Sequence, residues 1–200
     1  MALKFQYNKT ALQQLKKELR IRENALPTLQ AKESALRFEV KSARAEVRKA
    51  EDAFKQQKKK LEQLNRLWPE FPTNLLQLKD IKLDFRKIAG VKTPIFKSVD
   101  FAVTRFSLVT SPSWFPPGLI LLKEAVELQV TIDVARKKVE ILEYARKKTT
   151  QKVNLYEKVQ IPAYQGAILK IKRFMEDEEN LAKSSQKILK KRLAQAEAAV

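Results

Sequence analysis

The chain has 200 residues, of which 41 are Lys or Arg and 23 are Asp or Glu, so its formal net charge is +18. It contains no cysteine and no histidine, which excludes disulfides, thiolate zinc sites, histidine-based nucleophile pairs and the commonest general base. Asp and Glu are scattered through helical charge patterns, and no glycine pair has the spacing of a phosphate-binding loop. We therefore expect neither an enzyme nor a bound cofactor or metal.

The basic excess admits two interpretations. Nucleic acid or an anionic membrane is one class of partner for such a charge, and a solvated coiled-coil surface or an acidic protein partner is the other. Aromatic residues make up 8% and show no stacking pattern among the basic residues, which favours the second interpretation. The longest apolar run, residues 119–122, is far shorter than the ~20 residues of a membrane span, and residues 1–10 lack the apolar core of a signal peptide. A cytoplasmic chain is expected.

The first predicted element is a long helix from about Asn8 to Leu67, within an N-terminal segment of residues 1–68. A heptad laid on it gives an apolar seam that only Arg22, Glu33 and Gln57 interrupt. A seam of this length, with charged residues elsewhere, is typical of a coiled coil. The apolar seam positions are Leu12, Leu15, Leu19, Leu26, Leu29, Leu36, Val40, Ala43, Val47, Ala50, Phe54, Leu61, Leu64 and Trp68.

Residues 69–116 have a different composition and predict a small globular insert at the tip of the molecule. Apolar and polar residues alternate over residues 81–88 and 99–106, on either side of the sequence AGVKTP, which predicts two short strands in a β-hairpin. Residues 73–80 favour one short helical turn. The small core of the insert is expected to include Phe85, Phe96, Phe101, Trp114 and Phe115.

The second long helix is predicted over residues 117–200, after a Pro-Pro pair that suits a helix start. Its seam is interrupted at Arg146 and Thr149, recovers at Val153 and Tyr156, slips near Gln160 and resumes after Pro162. Because this helix is longer than the first, its end is expected to overhang as a single helix. The main seam positions of this helix are Leu121, Leu128, Ile132, Val139, Leu142, Ile168 and Ile171.

Each apolar seam can be buried only against another helix, so the fold class is mostly α: a long antiparallel two-helix coiled-coil hairpin with a small globular insert containing a short β-hairpin at the tip. If the helices pair from the insert onward, the numbers of facing residues add to about 185. Pro27 then lies level with about residue 158, within ~6 Å of Pro162 along the axis. The two prolines mark a shared kink or loosened point, or else Pro27 simply separates two helices.

Two motifs resemble those of the D subunit of the V/A-type ATPases. The sequence RKIAGVKTP carries the first, through Arg86, Gly90, Val91, Lys92 and Pro94. The sequence KVNLYEKVQIPAY, residues 152–164, carries the second. The positions that match in it are Lys152, Val153, Asn154, Glu157, Ile161 and Pro162. The sequence FSLVTSP, residues 106–112, and the plan of long helix, insert and long helix extend the resemblance over nearly the whole chain.

The resemblance implies a non-catalytic rotor shaft of the central stalk. Such a shaft penetrates a hexamer of alternating A and B subunits, binds the F subunit alongside the coiled coil, and rests on the C subunit (also called d) at the membrane ring. It would couple ATP hydrolysis or synthesis to ring rotation and ion transport, as a monomer within a complex peripheral to the membrane. The basic excess, including Lys170, Lys172 and Arg173, would suit an acidic lining of the hexamer.

The residue pattern alone is compatible with two other functions. A generic cytoplasmic coiled-coil scaffold predicts a stable homodimer. A basic nucleic-acid-binding coiled coil predicts DNA or RNA affinity that falls steeply with salt.

Overall fold

The computed structural model describes residues 4–107, 109 and 111–197. Three long helices, α1 (Lys9–Gln63), α2 (Phe115–Asn154) and α3 (Ile161–Glu197), account for most of the chain. Strands β1 (Leu76–Ile88) and β2 (Val91–Val103) form an antiparallel hairpin between α1 and α2. The predicted fold class, helical and coiled-coil-like with a β-hairpin, is confirmed.

The chain divides into two compact units, and α1 and α2 each contribute to both. One unit comprises Met1–Ala31 with Thr149–Val200, and the other comprises Lys32–Lys148. We call them the terminal unit and the central unit. Each contains a stretch of α1 packed against the C-terminal half of the chain.

Helix α1 begins where the sequence predicts and continues without a break through Pro27. The Asn8 side chain accepts a hydrogen bond of 2.6 Å from the Ala11 N–H, which satisfies one of the free donors at the helix start. Pro27 lies inside the 55-residue helix, so the interpretation that it separates two helices is wrong. A proline disturbs only the preceding turn, and the seam on both sides of Pro27 still packs against the opposing helix.

The core of the central unit joins α1, α2 and the turn of the hairpin. Leu36, Val40, Ala43 and Leu142 are buried together, and the residues from the hairpin turn that pack against them are Ile88, Ala89 and Val91. A second cluster, built on Leu75, Phe115 and Leu119, lies where α2 begins. The hairpin thus starts beside the second cluster and extends back along the helix pair, instead of forming an isolated knob.

The strands are longer than the sequence predicts. Residues 76–80, which the sequence pattern predicts as part of a helical turn, belong to β1, where Leu76 pairs with Val103 and Leu78 with Phe101. Register irregularities at Leu78/Asp80 and Lys82/Leu83 interrupt the simple alternation that predicts a strand, and residues 104–106 lie outside β2. The strand pairing along the whole hairpin outweighs the weak helix propensity of residues 76–80.

The predicted loop AGVKTP is also shorter than expected. Only Ala89 and Gly90 form the turn, with φ of 48° and 79°, and the strand resumes at Val91. Two successive residues with positive φ give the tight turn whose twist matches that of a β-hairpin.

The core of the terminal unit consists of Leu12 and Leu15 of α1 packed against α3. The α3 residues buried with them are Tyr164, Ala167, Ile168 and Ile171. From residue 176 to residue 195 every side chain is exposed, including Leu181, Ile188, Leu189 and Leu193.

A π-helical segment, Leu155–Gln160, joins α2 to α3. The N–H of Ile161 bonds to the carbonyl of Tyr156, five residues earlier, and Pro162 follows directly. In a regular α-helix the ring of Pro162 would clash with the carbonyl of Lys158. That carbonyl lies in the wider π-helical turn, so the helix accommodates Pro162 by a local change of winding.

Candidate functional site: polar contacts between helices and the two motifs

Arg22, a predicted interruption of the seam, makes a polar contact between the helices of the terminal unit. Its Nε donates a hydrogen bond of 2.8 Å to Oε1 of Gln160, and its guanidinium lies 4.5 Å from the centre of the Tyr164 ring. A hydrogen bond with Glu18 raises the pKa of Arg22 above its ordinary value, and desolvation opposes this rise. Arg22 therefore stays charged while it fixes the register of α1 against the π-helical segment.

This contact locates Pro27 against the opposing helix. Pro27 follows Arg22 by five residues, and Leu155 precedes Gln160 by five, so Pro27 lies level with about the start of the π-helical segment. Its offset from Pro162 is then ~10 Å, larger than the predicted ~6 Å. Pro27 and the π-helical segment therefore lie at nearly the same level along the terminal unit, but Pro27 and Pro162 do not face each other.

Gln57 is a second interruption of the predicted seam, and the structure places it in the core of the central unit. Its side chain is only 5% exposed. Its Nε2 donates to Oε2 of Glu124 at 2.8 Å and to the carbonyl of Leu121 at 3.3 Å. A buried amide with partners on the facing helix favours one register, as polar residues do in coiled-coil seams.

Ion pairs between α1 and α2 flank the seam of the central unit. Arg44 donates to Glu143 at 2.8 Å through Nε, Arg136 lies 2.6 Å from Glu51, and Lys138 lies 2.7 Å from Glu46. The residue numbers of these pairs add to between 184 and 187, in agreement with the predicted antiparallel register. Each pair is solvent-accessible and contributes little to stability, so the apolar seam supplies most of it.

Some of the predicted apolar seam positions form the two clusters in which α1 packs against α2 and α3. None of the predicted apolar seam residues is exposed, and Leu36, Leu142 and Ile171 are fully buried. Glu33, the third predicted interruption, pairs with Arg37 along α1 at 3.0 Å.

The first motif forms the turn of the hairpin and the start of β2. Gly90 occupies the left-handed region, Val91 packs against the core of the central unit, and Pro94 is buried. Arg86 is exposed, and the Lys92 ammonium lies 4.3 Å from the centre of the Phe85 ring. The motif therefore holds the turn of the hairpin against the helix pair.

Sequence reasoning missed Thr93, the variable position inside this motif. It is fully buried, and its hydroxyl donates a hydrogen bond of 3.0 Å to the carbonyl of Arg86 on β1. Only the strand pairing reveals this contact, because the two residues lie on facing strands.

The second motif coincides with the π-helical segment and its borders. Lys152, Val153 and Asn154 end α2, Glu157 lies in the π-helical turn, and Ile161 and Pro162 begin α3. Val153 and Ile161 are half-buried, and the other four motif residues are exposed. This motif belongs to the terminal unit and the first motif to the central unit.

Aromatic residues form a cluster at the end of the central unit where α2 begins. The rings of Trp68, Phe71, Trp114 and Phe115 lie at centroid distances of 5.0–5.7 Å. Gly118 fits beneath them, since a Cβ there would come within 2.9 Å of the Trp114 ring. Of the aromatic residues predicted for the insert core, Trp114 and Phe115 belong to this cluster, whereas Phe85 is 54% exposed.

These features define a class of protein: a helical, coiled-coil-like protein whose conspicuous residues serve packing and register. Among the residues that the structure describes, no cluster of acidic residues has the arrangement of a metal site. Nor is any helix in that part of the chain long and apolar enough to cross a membrane.

The chain belongs to the ATP synthase D-subunit family, whose model matches residues 11–191. It is 32% identical to the V-type ATP synthase D subunit of Borreliella burgdorferi over 199 residues, 95% of each chain. It is 26% identical to the protein of the same name from Chlamydia caviae, over 98% of this chain and 96% of the relative. The resemblance carried by the two motifs is confirmed, and the chain is a subunit of a rotary ATPase.

Proposed function

We propose that this chain is the central-stalk rotor subunit of a V/A-type ATPase. It couples ATP hydrolysis or synthesis in a hexamer of A and B subunits to rotation of the membrane ring and ion transport. Nucleotide chemistry takes place on the A and B subunits, and this chain contributes no catalytic group. The observation that carries the proposal is the antiparallel helix pair with a packed seam, in a chain of the D-subunit family.

The proposed partners are those of a rotor. The helix pair enters the hexamer of A and B subunits, the F subunit binds alongside it, and the C subunit (d) links it to the membrane ring. The chain is then cytoplasmic, peripheral to the membrane, and present as one copy in each complex.

A rotor must present different surfaces around its axis, and the central unit has such surfaces. On one side the hairpin residues Pro94, Ile95 and Phe96 pack near Glu46 and Ala50 of α1. Another side is basic and includes no hairpin residue. A hexamer around this unit would meet chemically different faces, so each pair of A and B subunits would be held in a different state.

The packed seam would transmit torque along the shaft, and weak contacts at the outer surface would allow the shaft to rotate. Sliding one helix against the other would unpack fully buried residues such as Leu36 and Leu142 and separate Gln57 from Glu124. Close-packed interiors resist such shear. The outer Lys, Arg and Glu side chains would make only weak individual contacts with a surrounding sleeve, which favours rotation.

The π-helical segment is proposed as the pliable point of the shaft. It interrupts the α-helical hydrogen-bond ladder over Leu155–Gln160, and Pro27 disturbs the facing helix at about the same height. Local unwinding there would need fewer broken α-helical bonds than elsewhere in α2 or α3.

Reconstitution with purified A and B subunits tests the function. The chain should form a stoichiometric complex with the hexamer, and ATPase activity should depend on its presence. A chain that forms a stable homodimer and ignores the A and B subunits would be a scaffold. Binding to DNA with a steep salt dependence, and none to the hexamer, would identify a nucleic-acid-binding protein.

Charge reversal on α3 tests the proposed acidic lining of the hexamer. Lys170, Lys172 and Arg173 are exposed, and their replacement by Glu should weaken assembly with the hexamer roughly tenfold or more, because several attractive contacts become repulsive. Reversal of Lys58, Lys59 and Lys60 on α1 is the matched control. If the α3 variant assembled with the hexamer and coupled ATPase activity as well as the α1 control variant does, an acidic lining at α3 would be contradicted.

A further inference from the structure

The last part of α3 carries an apolar face that no other described residue covers. At about 100° per residue, the large apolar side chains of this stretch fall within ~140° of the helix circumference. The same face, earlier in α3, is buried against α1 through Ile171. The lysines Lys183, Lys187 and Lys190 lie on the opposite side. The apolar residues, each more than half exposed, are Leu181, Ile188, Leu189 and Leu193, and we call this surface the free face.

The free face begins where the N-terminal segment of the chain stops covering α3. The Tyr7 ring lies 4.9 Å from the Phe174 ring, and Phe5 and Met175 pack against the core of the terminal unit. From residue 176 to residue 195 every side chain is exposed, a length of ~30 Å. The apolar seam of α3 thus continues beyond its partner helix, and a second helix is the natural cover for such a face.

The charges along this stretch are separated by sign. Residues 176–179 are all acidic, whereas residues 183–192 contain five cations and no carboxylate. In a parallel pair of two such helices, blocks of like charge would face and repel each other. In an antiparallel pair each acidic block faces the basic block of the other copy. An anionic lipid surface would meet the acidic block unfavourably, so the charge pattern favours a second copy of this chain.

An antiparallel pair centred on Ser185 also matches the side chains of the free face. The numbers of facing residues then add to about 370, so Leu181 faces Leu189 of the second copy and Glu178 faces its Arg192. Glu178 and Arg192 both lie on the apolar side of α3, and neither forms an ion pair within the described residues. Two-fold symmetry makes each of these contacts occur twice.

We propose that two copies of the chain, before they join other subunits, associate as an antiparallel helix pair through the free face. The apolar residues of both copies are buried in the pair, and the Glu178–Arg192 pairs close it at both ends. The contact is short, so the dimer is a reversible one. The inference goes beyond the rotor function, because it concerns the chain before assembly. A rotor present as one copy in each complex leaves the dimer when it enters the hexamer.

Sedimentation equilibrium of the full chain alone, over a series of concentrations, tests the proposal. Glu178→Lys and Arg192→Glu should each weaken dimerisation roughly tenfold or more, because each turns two attractive pairs into repulsive ones. An equimolar mixture of the two variants should dimerise like the original chain, since each copy then supplies the charge that the other lacks. The two positions lie ~21 Å apart along one helix, so this recovery cannot arise within a single copy.

Glu176→Lys is the matched control. It makes the same charge change on the opposite side of α3 and should alter the dissociation constant less than about twofold. Circular dichroism checks that each variant keeps its helices, and all the substituted side chains are exposed.

Three results would overturn the proposal. They are a chain that stays monomeric at every concentration, tighter dimerisation of Glu178→Lys, which a parallel pair would give, and a mixture of the two variants that fails to dimerise. Each of these results leaves the rotor function intact, because reconstitution with the A and B subunits tests that function separately.

Discussion

The two helical glycines offer a matched test of packing in this structure. Gly118 lies near the start of α2, where an added Cβ would meet two carbons of the Trp114 ring at 2.9 and 3.0 Å. Gly166 lies in α3, and an added Cβ there would meet nothing within 4 Å. Substitution by Ala therefore gives both positions the same gain in helix propensity, but the added Cβ is crowded only at Gly118.

The magnitudes predict opposite signs. Replacing a helical Gly by Ala contributes up to ~1 kcal/mol of stability through helix propensity. At Gly118 the overpacking against Trp114 costs about 1–3 kcal/mol, so after the helix-propensity gain the net effect is a loss of up to ~2 kcal/mol in the free energy of unfolding. At Gly166 only the gain remains, and Gly166→Ala should stabilise the terminal unit by up to ~1 kcal/mol.

Urea unfolding measures both effects. The only tryptophans of the chain, Trp68 and Trp114, belong to the aromatic cluster beside Gly118, so their fluorescence reports on the central unit. Circular dichroism follows the helices in Gly166→Ala. A rise in the fluorescence midpoint for Gly118→Ala, similar to the rise for Gly166→Ala, would refute the close packing of α2 under Trp114.

Three further predictions concern the register, the exposed end of α3 and the π-helical segment. Gln57→Ala should lower the free energy of unfolding by about 1–3 kcal/mol, because it removes the hydrogen bond to Glu124 and leaves a cavity. Gln57→Leu should be close to neutral. If urea unfolding showed the same loss of stability for both variants, a register role of Gln57 would be contradicted. Lys183 lowers the pKa of Glu179 through their hydrogen bond, so the pair stabilises the helix above the ordinary pKa of Glu179 and this contribution is lost as the pH falls through the lowered value. In Lys183→Gln the Glu179 pKa should rise toward its ordinary value in an NMR titration, and an unchanged titration would exclude the pair in solution. Pro162→Ala should slow amide exchange over Leu155–Gln160, because the α-helical ladder can close, and unchanged exchange would show that the proline does not maintain the π-helical turn.

The helical architecture was predictable because the heptad pattern is long and regular. Positions such as Leu36, Leu142 and Ile171 repeat with the helical period, and burial of that stripe requires a partner helix. The sequence could not show why Arg22 and Gln57 interrupt the seam. Their partners Gln160 and Glu124 lie 138 and 67 residues away along the chain.

The insert was less predictable because its structure depends on pairing between distant residues. The register irregularities of β1 break the alternation that identifies a strand, so residues 76–80 resembled a helical turn. Thr93 gives no local signal for its contact with Arg86. The π-helical segment has no sequence pattern of its own, and only the nearby Pro162 marks its position.

Direct observation of rotation is the most incisive test of the proposed function. Because the chain has no cysteine, Glu70→Cys at an exposed position near the end of the central unit provides a single attachment point for a probe. With the hexamer of A and B subunits immobilised and ATP supplied, the rotor function predicts that the probe turns continuously in one direction. A complex that hydrolyses ATP while the bound probe stays fixed in orientation would contradict it.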